Sequence, residues 1–161
     1  MPRRKRVLKR PTINEDRDFS SVLVSRLINR VMWDGKKTIA SKIVSTALNE
    51  ASEALQVTPI EVLENALTNV KPQIEVQSMR VGGANYQVPM EPRPERSLRL
   101  GLTWMVGSAR KIKGKKMSTK LRQVLIDSFK NEGSAVAKKN SVHQTAYGNK
   151  AFAHFALRRK K

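Results

Sequence analysis

The 161-residue sequence is strongly basic, since 32 Lys and Arg against 13 Asp and Glu give a formal net charge of +19. Cysteine is absent, which excludes disulfides, thiolate chemistry and cysteine-based zinc sites. No run approaches the roughly 18 apolar residues of a transmembrane helix, so we expect no membrane partner. The length suits one domain with attached arms, and the charge indicates a polyanionic partner, with nucleic acid the leading candidate.

Two helices are predicted in the first third of the chain. Apolar residues recur at helical spacing over residues 20–33, where Ser20 or Ser21 can cap the start and Gly35 follows the end. A second amphipathic helix is predicted over residues 37–55, with Ile39 among the residues of its apolar face.

The start of a third helix is the clearest local signal. Thr58 can cap it, Pro59 suits its first position, and Glu61 stands where a capping box places its acid. Pro72 ends the helix, because the residue before a proline is pushed out of helical geometry.

A β-hairpin is predicted next. Apolar and polar residues alternate from Ile74, are interrupted by Gly82 and Gly83, and alternate again to Val88. A lone two-stranded hairpin is only marginally stable in water, so it must lean on the helices or on a partner. We therefore expect a projecting arm over residues 73–92.

Three more helices are predicted after the hairpin. Helical spacing returns over residues 98–112, and a fifth helix begins at Ser118 or Thr119 and stops at Gly133. A weaker sixth helix is predicted over residues 135–155, with Gly148 inside it at a cost of about 1 kcal/mol relative to Ala. We expect this last helix to extend beyond the core.

The charges are unevenly distributed. No acid occurs from Arg96 to Ile126 or after Glu132, whereas carboxylates cluster between Glu50 and Glu75. An isolated basic run is most often a solvated face, but several unneutralised runs in one short chain favour a surface laid against phosphates.

Signals for an enzyme or a metal site are weak. His143 and His154 lie in acid-free sequence, which disfavours acid-base catalysis, and packing or solvent contact is favoured over metal binding because a third ligand is missing. An RNA-modifying enzyme would need a cofactor loop or a catalytic carboxylate in the basic region. An architectural DNA-binding protein would need a dimerising seam or a helix-turn-helix. None is evident, so we predict no enzyme, no cofactor and no metal.

Four aromatic residues are candidates for packing or for RNA contact. Trp33 and Trp104 fall on predicted helix faces, which favours packing in the core or at its rim. Tyr86 and Tyr147 are better candidates for stacking on bases, although core packing remains equally open for each.

Three segments closely resemble the family of the seventh protein of the bacterial small ribosomal subunit. They are IEVQSMRVGGANYQVPMEPRPERS from Ile74 to Ser97, DGKK from Asp34 to Lys37, and VHQTAYGNKAFAHF from Val142 to Phe155. The similarity extends to the PRR start at Pro2 and to residues 104–111, so it covers essentially the whole chain.

The resemblance implies a mainly α fold, with a six-helix domain, one protruding β-hairpin and basic terminal arms. It also implies one RNA-binding domain over residues 1–161, with an N-terminal arm at 1–18 and a basic tail at 156–161. The implied function is to bind the 3′ major domain of small-subunit ribosomal RNA, nucleate assembly of the subunit head, and face messenger RNA and exit-site transfer RNA. The implied location is cytoplasmic and ribosome-bound, with head and platform proteins, including the eleventh small-subunit protein, as neighbours.

The resemblance also assigns residues to two RNA-facing surfaces. The ribosomal RNA anchors it implies are Arg3, Arg4, Lys36, Lys37, Arg80, Arg93, Arg96, Lys113, Lys115 and Lys116. The messenger and transfer RNA surface it implies consists of Gly82, Gly83, Ala84, Asn85, Tyr86, His143, Tyr147 and Lys150. Glu95 departs from the family pattern, where a basic residue is expected, which weakens the case for phosphate contact at that position.

Overall fold

The computed structural model describes residues 12–157, so the predicted anchors Arg3 and Arg4 and the end of the basic tail lie outside the described residues. Helices and one hairpin follow one another in the order α1 (Val22–Val31), α2 (Lys37–Leu55), α3 (Pro59–Val70), β1 (Glu75–Val81), β2 (Ala84–Met90), α4 (Pro94–Lys111), α5 (Met117–Phe129) and α6 (Gly133–Gly148). A 3-10 turn (Lys150–Phe152) and the one-turn α7 (His154–Leu157) end the described chain. The predicted mainly α fold with six helices and a hairpin is confirmed for this part of the chain.

The helix starts follow the predicted capping signals. The Ser21 hydroxyl accepts a hydrogen bond from the Leu23 amide at 3.3 Å, and the Thr58 hydroxyl accepts one from the Glu61 amide at 3.4 Å. Proline occupies the first turn of α4 as it does that of α3, so α4 begins at Pro94, earlier than the apolar spacing predicts.

Helix α5 lies at the centre of the fold and packs against α2, α3, α4 and α6. Its residues Leu121 and Leu125 are fully buried, as are Leu48 of α2, Leu63 of α3 and Met105 of α4. Acidic side chains of α2 and α3 remain on the outside, so the core is apolar and the charges are left to the surface.

Ile39 is an exception to the predicted helix faces. It lies in the first turn of α2, and 54% of its surface is exposed, although the spacing assigns it to the apolar face. The first buried residue of α2 is Ala40, so the buried face of the helix begins after Ile39.

The hairpin is antiparallel, with Arg80 paired to Asn85 and Val81 to Ala84. Gly82 and Gly83 form its two-residue turn with φ of 58° and 88°, the left-handed angles that a type I′ turn requires. Because strand residues alternate between faces, Arg80 and Asn85 lie on the opposite face from Tyr86.

The sixth helix differs from its prediction. It ends at Gly148 instead of continuing to Phe155, and the chain then folds back along β2 through the 3-10 turn and α7. The ring of Tyr86 lies 4.9 Å from that of Phe152 and 5.6 Å from that of Phe155. The segment predicted to extend beyond the core therefore packs on the hairpin and supports it.

Candidate nucleic-acid interface

A cleft of about 470 Å³ lies between α1 and α4 and is lined mainly by arginines. We call it the arginine cleft. Its cationic residues are Arg26, Arg30, Arg93, Arg96 and Arg99. Glu95, the position that departs from the family pattern, is the one acid among the described lining residues. Arg26 and Arg30 are one helical turn apart, so they lie on the same face of α1. This face is opposite the first turns of α4, and the cleft lies between them.

The arginine cleft has unbalanced positive charge. Burial, followed by the charges of Arg99 and Arg110, lowers the pKa of the Arg30 guanidinium. The Nε atom of Arg26 is buried and has no hydrogen-bond partner among the described residues. A phosphate or another anion in the cleft would offset the positive charge that these arginines concentrate.

Two lysine-bearing loops lie at one end of this helix pair. The Arg110 guanidinium, in the last turn of α4, donates to the carbonyls of Val31 at 3.3 Å and Arg30 at 3.5 Å, in the last turn of α1. The loop after α1 ends at Lys36, with Lys37 as the first residue of α2, and the loop with Lys113, Lys115 and Lys116 follows α4. All five lysines are exposed, so they extend the positive surface of the arginine cleft.

The two tryptophans have different environments. Trp104 packs half-buried against the core, which confirms its predicted packing role. Trp33 does not, because α1 ends before it and 66% of its surface is exposed. The prediction that Trp33 packs in the core or at its rim is therefore wrong.

Arg96 already has a partner in the protein. Its guanidinium donates to the Glu75 carboxylate at 2.7 Å and 3.2 Å, and this hydrogen bond raises the pKa of Arg96. The pair joins the first turn of α4 to the first residue of the hairpin. The charge of Arg96 is thus partly compensated, unlike those of Arg93 and Arg99 beside it.

Most of the residues predicted to face messenger and transfer RNA are exposed, but Tyr86 is not. The tip, Gly82 to Asn85, is exposed, as are Tyr147, at 69%, and Lys150. Since the 3-10 turn packs on β2, Lys150 lies beside the hairpin. Tyr86 is half-buried against Phe152, which favours its packing role over stacking on a base.

His143 has a structural contact at the base of the hairpin. Its Nε2 accepts a hydrogen bond from the Gln73 amide at 3.2 Å, and burial, followed by the charge of Lys139, lowers the pKa of the imidazole. Both observations favour the neutral ring. The break at Gly148 separates His143 from His154, and residues 12–157 hold no group of three or more potential metal ligands.

The structure brings the ends of α1 and α4, and with them the loops that follow these helices, close together through Arg110. Arg93 and Arg96 lie in the arginine cleft at the other end of α4, about 27 Å along the helix, and Arg80 lies apart on the hairpin. Sequence reasoning missed Arg26 and Arg30 entirely, and it noted Arg99 and Arg110 only as members of an acid-free run. The helical spacing of Arg26 and Arg30 is the one signal that could have suggested a shared face.

An arginine cleft and two lysine-bearing loops on one small helical domain are typical of structural proteins that bind nucleic acid. The family model described as Ribosomal protein S7p/S5e matches residues 2–150. The chain therefore belongs to the S7p/S5e family of ribosomal proteins, which confirms the resemblance found in the sequence.

Similar proteins cover nearly the whole chain. The small ribosomal subunit protein uS7 of Caldanaerobacter subterraneus subsp. tengcongensis is 50% identical over 155 residues, which are 96% of this chain and 99% of that protein. The uS7 protein of Thermosipho africanus is 51% identical over 137 residues, which are 85% of this chain and 88% of that protein. The uS7 protein of Pseudoalteromonas translucida is 48% identical over 155 residues, which are 96% of this chain and 99% of that protein. The family is a structural component of the ribosome, so the prediction that the chain is not an enzyme is confirmed. No helix within residues 12–157 has the length and apolar character to cross a bilayer.

Proposed function

We propose that this protein binds the 3′ major domain of small-subunit ribosomal RNA and nucleates assembly of the subunit head. The observation that carries the proposal is the arginine cleft, where five arginines and one acid among the described residues line the space between α1 and α4. The lysine loops at the C-terminal ends of the same two helices add further exposed positive charge. Folded RNA presents phosphates along such a surface, and several separated segments of the chain could then hold one RNA junction.

The charge balance of the free protein supports this role. The charges of Arg99 and Arg110 both repel that of Arg30. Among the arginines of the cleft, Arg96 is the one with a described ion pair, which it makes with Glu75. A bound phosphate would turn this repulsion into attraction and release counterions from the RNA. The free energy lost in holding the arginines together is then recovered on binding.

We further propose that the hairpin tip and the exposed end of α6 face messenger RNA and exit-site transfer RNA, next to the eleventh small-subunit protein. The support is that Asn85, Tyr147 and Lys150 are exposed and that the C-terminal segment holds the hairpin from one side. The tip is thereby left free to contact a partner.

The proposal for ribosomal RNA is tested by binding and by sedimentation. The protein should bind a 3′-domain RNA fragment with a log affinity that falls by several units per log unit of salt. In cell extract it should sediment with small subunits. A flat salt dependence, or absence from small subunits, contradicts the proposal.

Replacing Lys113 and Lys115 together by Ala should reduce the salt slope by about two units, because each phosphate contact contributes about one. The thermal unfolding temperature should hardly change, since exposed charges contribute little to folding. The matched control replaces Lys71 and Lys130, exposed lysines at the ends of α3 and α5. An equal loss of slope in the control would assign the effect to net charge alone.

The arm proposal is tested by shortening the hairpin by two residue pairs, namely by deleting Arg80, Val81, Ala84 and Asn85 and keeping the glycine turn. Removing two pairs preserves the register and leaves Tyr86 on its face, since strand residues alternate with period two. The strands shorten by about 7 Å. We expect normal entry into small subunits but more frameshifting or weaker transfer RNA retention.

Two outcomes contradict this expectation. Failure of the shortened protein to enter small subunits would make the tip part of the assembly site, and unchanged accuracy in cells that carry only the shortened form would remove the role of the arm at the exit site. A variant with Arg80 and Asn85 replaced by Ala, at full arm length, separates the loss of side chains from the loss of reach.

A further inference from the structure

Trp33 is the most exposed of the large apolar side chains in the first half of the described chain. It follows α1 at the corner before α2, and 66% of its surface is accessible. A tryptophan offers a large flat face, and leaving it in water without a partner is unfavourable. Its position in a positively charged corner suggests that a partner with its own flat ring covers it.

The ring is held in place from one side. The guanidinium carbon of Arg110 lies 5.1 Å from the ring centroid, and the same guanidinium donates to the Val31 carbonyl. The Lys36 amide donates to the Trp33 carbonyl at 3.0 Å, across a turn whose central residues, Asp34 and Gly35, have φ of 50° and 72°. These two positive angles define a type I′ turn, so both the backbone and one ring face of Trp33 are fixed.

The surroundings fit a nucleotide. Arg110 covers one face of the ring, which leaves the other for stacking. Lys36 and Lys37 follow Trp33 closely in the chain, Lys111 follows Arg110, and all three lysines are exposed. Asp34 is the acid of this corner, and the cations outnumber it. The apolar neighbour Ile39, 54% exposed, is too small a patch to indicate a protein partner.

We propose that the open face of Trp33 stacks on an unpaired base of RNA, with Arg110 behind the ring and Lys36 beside the phosphate of the same nucleotide. The proposal rests on the RNA binding proposed above and adds a single-nucleotide site to it. Stacking on an aromatic ring does not depend on the identity of the base, so this site contributes affinity and position rather than sequence specificity.

Fluorescence tests the contact directly. The chain has two tryptophans, so a Trp104→Phe variant carries Trp33 as its single indole fluorophore. Titration with the 3′-domain fragment should quench this fluorescence, and the quench should saturate at the same RNA concentration as binding measured by filter retention. The salt dependence of the two signals should also agree.

Substitutions test the contribution of the ring. Trp33→Leu should weaken binding by roughly 5- to 100-fold, because stacking of one base on an aromatic side chain contributes that much, whereas Trp33→Phe should retain most of the affinity. The matched control Ile39→Ala removes an exposed apolar side chain from the same corner and should leave affinity unchanged. Thermal unfolding of each variant shows that the fold is intact.

The outcomes separate this site from the general RNA role. Normal affinity of Trp33→Leu, with no quench in the Trp104→Phe variant, overturns the stacking site and leaves the RNA binding of the arginine cleft intact. A quench that appears only in assembled small subunits, and not with the RNA fragment, assigns Trp33 to a protein partner and also overturns it. Failure of the unmodified chain to bind RNA removes the proposed function itself.

Discussion

Replacing Arg30 and Arg99 together by Gln should lower the affinity for a 3′-domain RNA fragment by roughly 100-fold or more at about 0.1 M salt. Both side chains line the arginine cleft, and hydrogen bonds to charged groups contribute about 1.5–3 kcal/mol each. The salt slope should fall by nearly two units. Filter binding or calorimetry at several salt concentrations measures both quantities.

The same double substitution should not lower the stability of the free protein. Burial, followed by the charges of Arg99 and Arg110, lowers the pKa of Arg30, so removing the charges of Arg30 and Arg99 relieves both a burial cost and repulsion in the folded state. Lys71→Gln with Lys130→Gln is the control of equal charge. A parallel loss of folding stability and RNA affinity in the cleft variant would show that these arginines stabilise the fold, which contradicts the assigned role.

Leu63→Ala should destabilise the domain by about 2–5 kcal/mol, the largest effect on folding that we expect from a single substitution. Leu63 is fully buried in α3, which packs against the central α5, so the truncation leaves a cavity. Urea unfolding followed by circular dichroism gives the change in free energy.

Ile39→Ala is the matched control for Leu63→Ala, because both remove an aliphatic side chain from a helix. Ile39 is mostly exposed, so its substitution should change the free energy of unfolding by less than about 0.5 kcal/mol. Equal losses at the two positions would mean that the helix faces are assigned wrongly. The pair therefore compares the observed faces with those that the spacing alone predicts.

Helices with local signals at both ends were predictable from the sequence. Helix α3 carries its cap at Thr58, its first-turn proline and its stop at Pro72, and each of these acts on the neighbouring backbone. The hairpin was equally predictable, because Gly82 and Gly83 interrupt a period-two pattern at the position of the turn. These features depend on contacts close in the sequence.

The end of α6 could not be predicted in this way. Ala151 and Phe155 keep a helical spacing, which favours one long helix, but in the structure Phe155 packs on Tyr86 together with Phe152. This contact joins segments that are distant in the sequence, and periodicity contains no information about it. Gly148 is the last residue of α6, so this glycine marks the end of the helix and is not the interior position that the spacing predicts.

In the candidate site, too, the features that depend on local sequence were predictable and those that depend on distant contacts were not. Lys36, Lys113 and their neighbours lie in loops, where a run of lysines predicts exposure. The arginine cleft depends on the apposition of α1 and α4, and Arg110 reaches the Arg30 carbonyl across 80 positions of sequence. Neither helix on its own indicates a cleft.

The base of the hairpin has a consequence for the order of folding during synthesis. The strands pair residues that are close in the sequence, and hairpins of this kind form within about 1–10 μs. The bond between His143 and Gln73 spans 70 positions, so it cannot form until α6 has left the ribosome that makes the chain. Until then Val88, fully buried in the finished fold, lacks part of its cover, because α6 packs against β2. A nascent chain that stalls before α6 would thus carry a hairpin that opens and closes, and its arm would become stable only after α6 has been made and has packed against it.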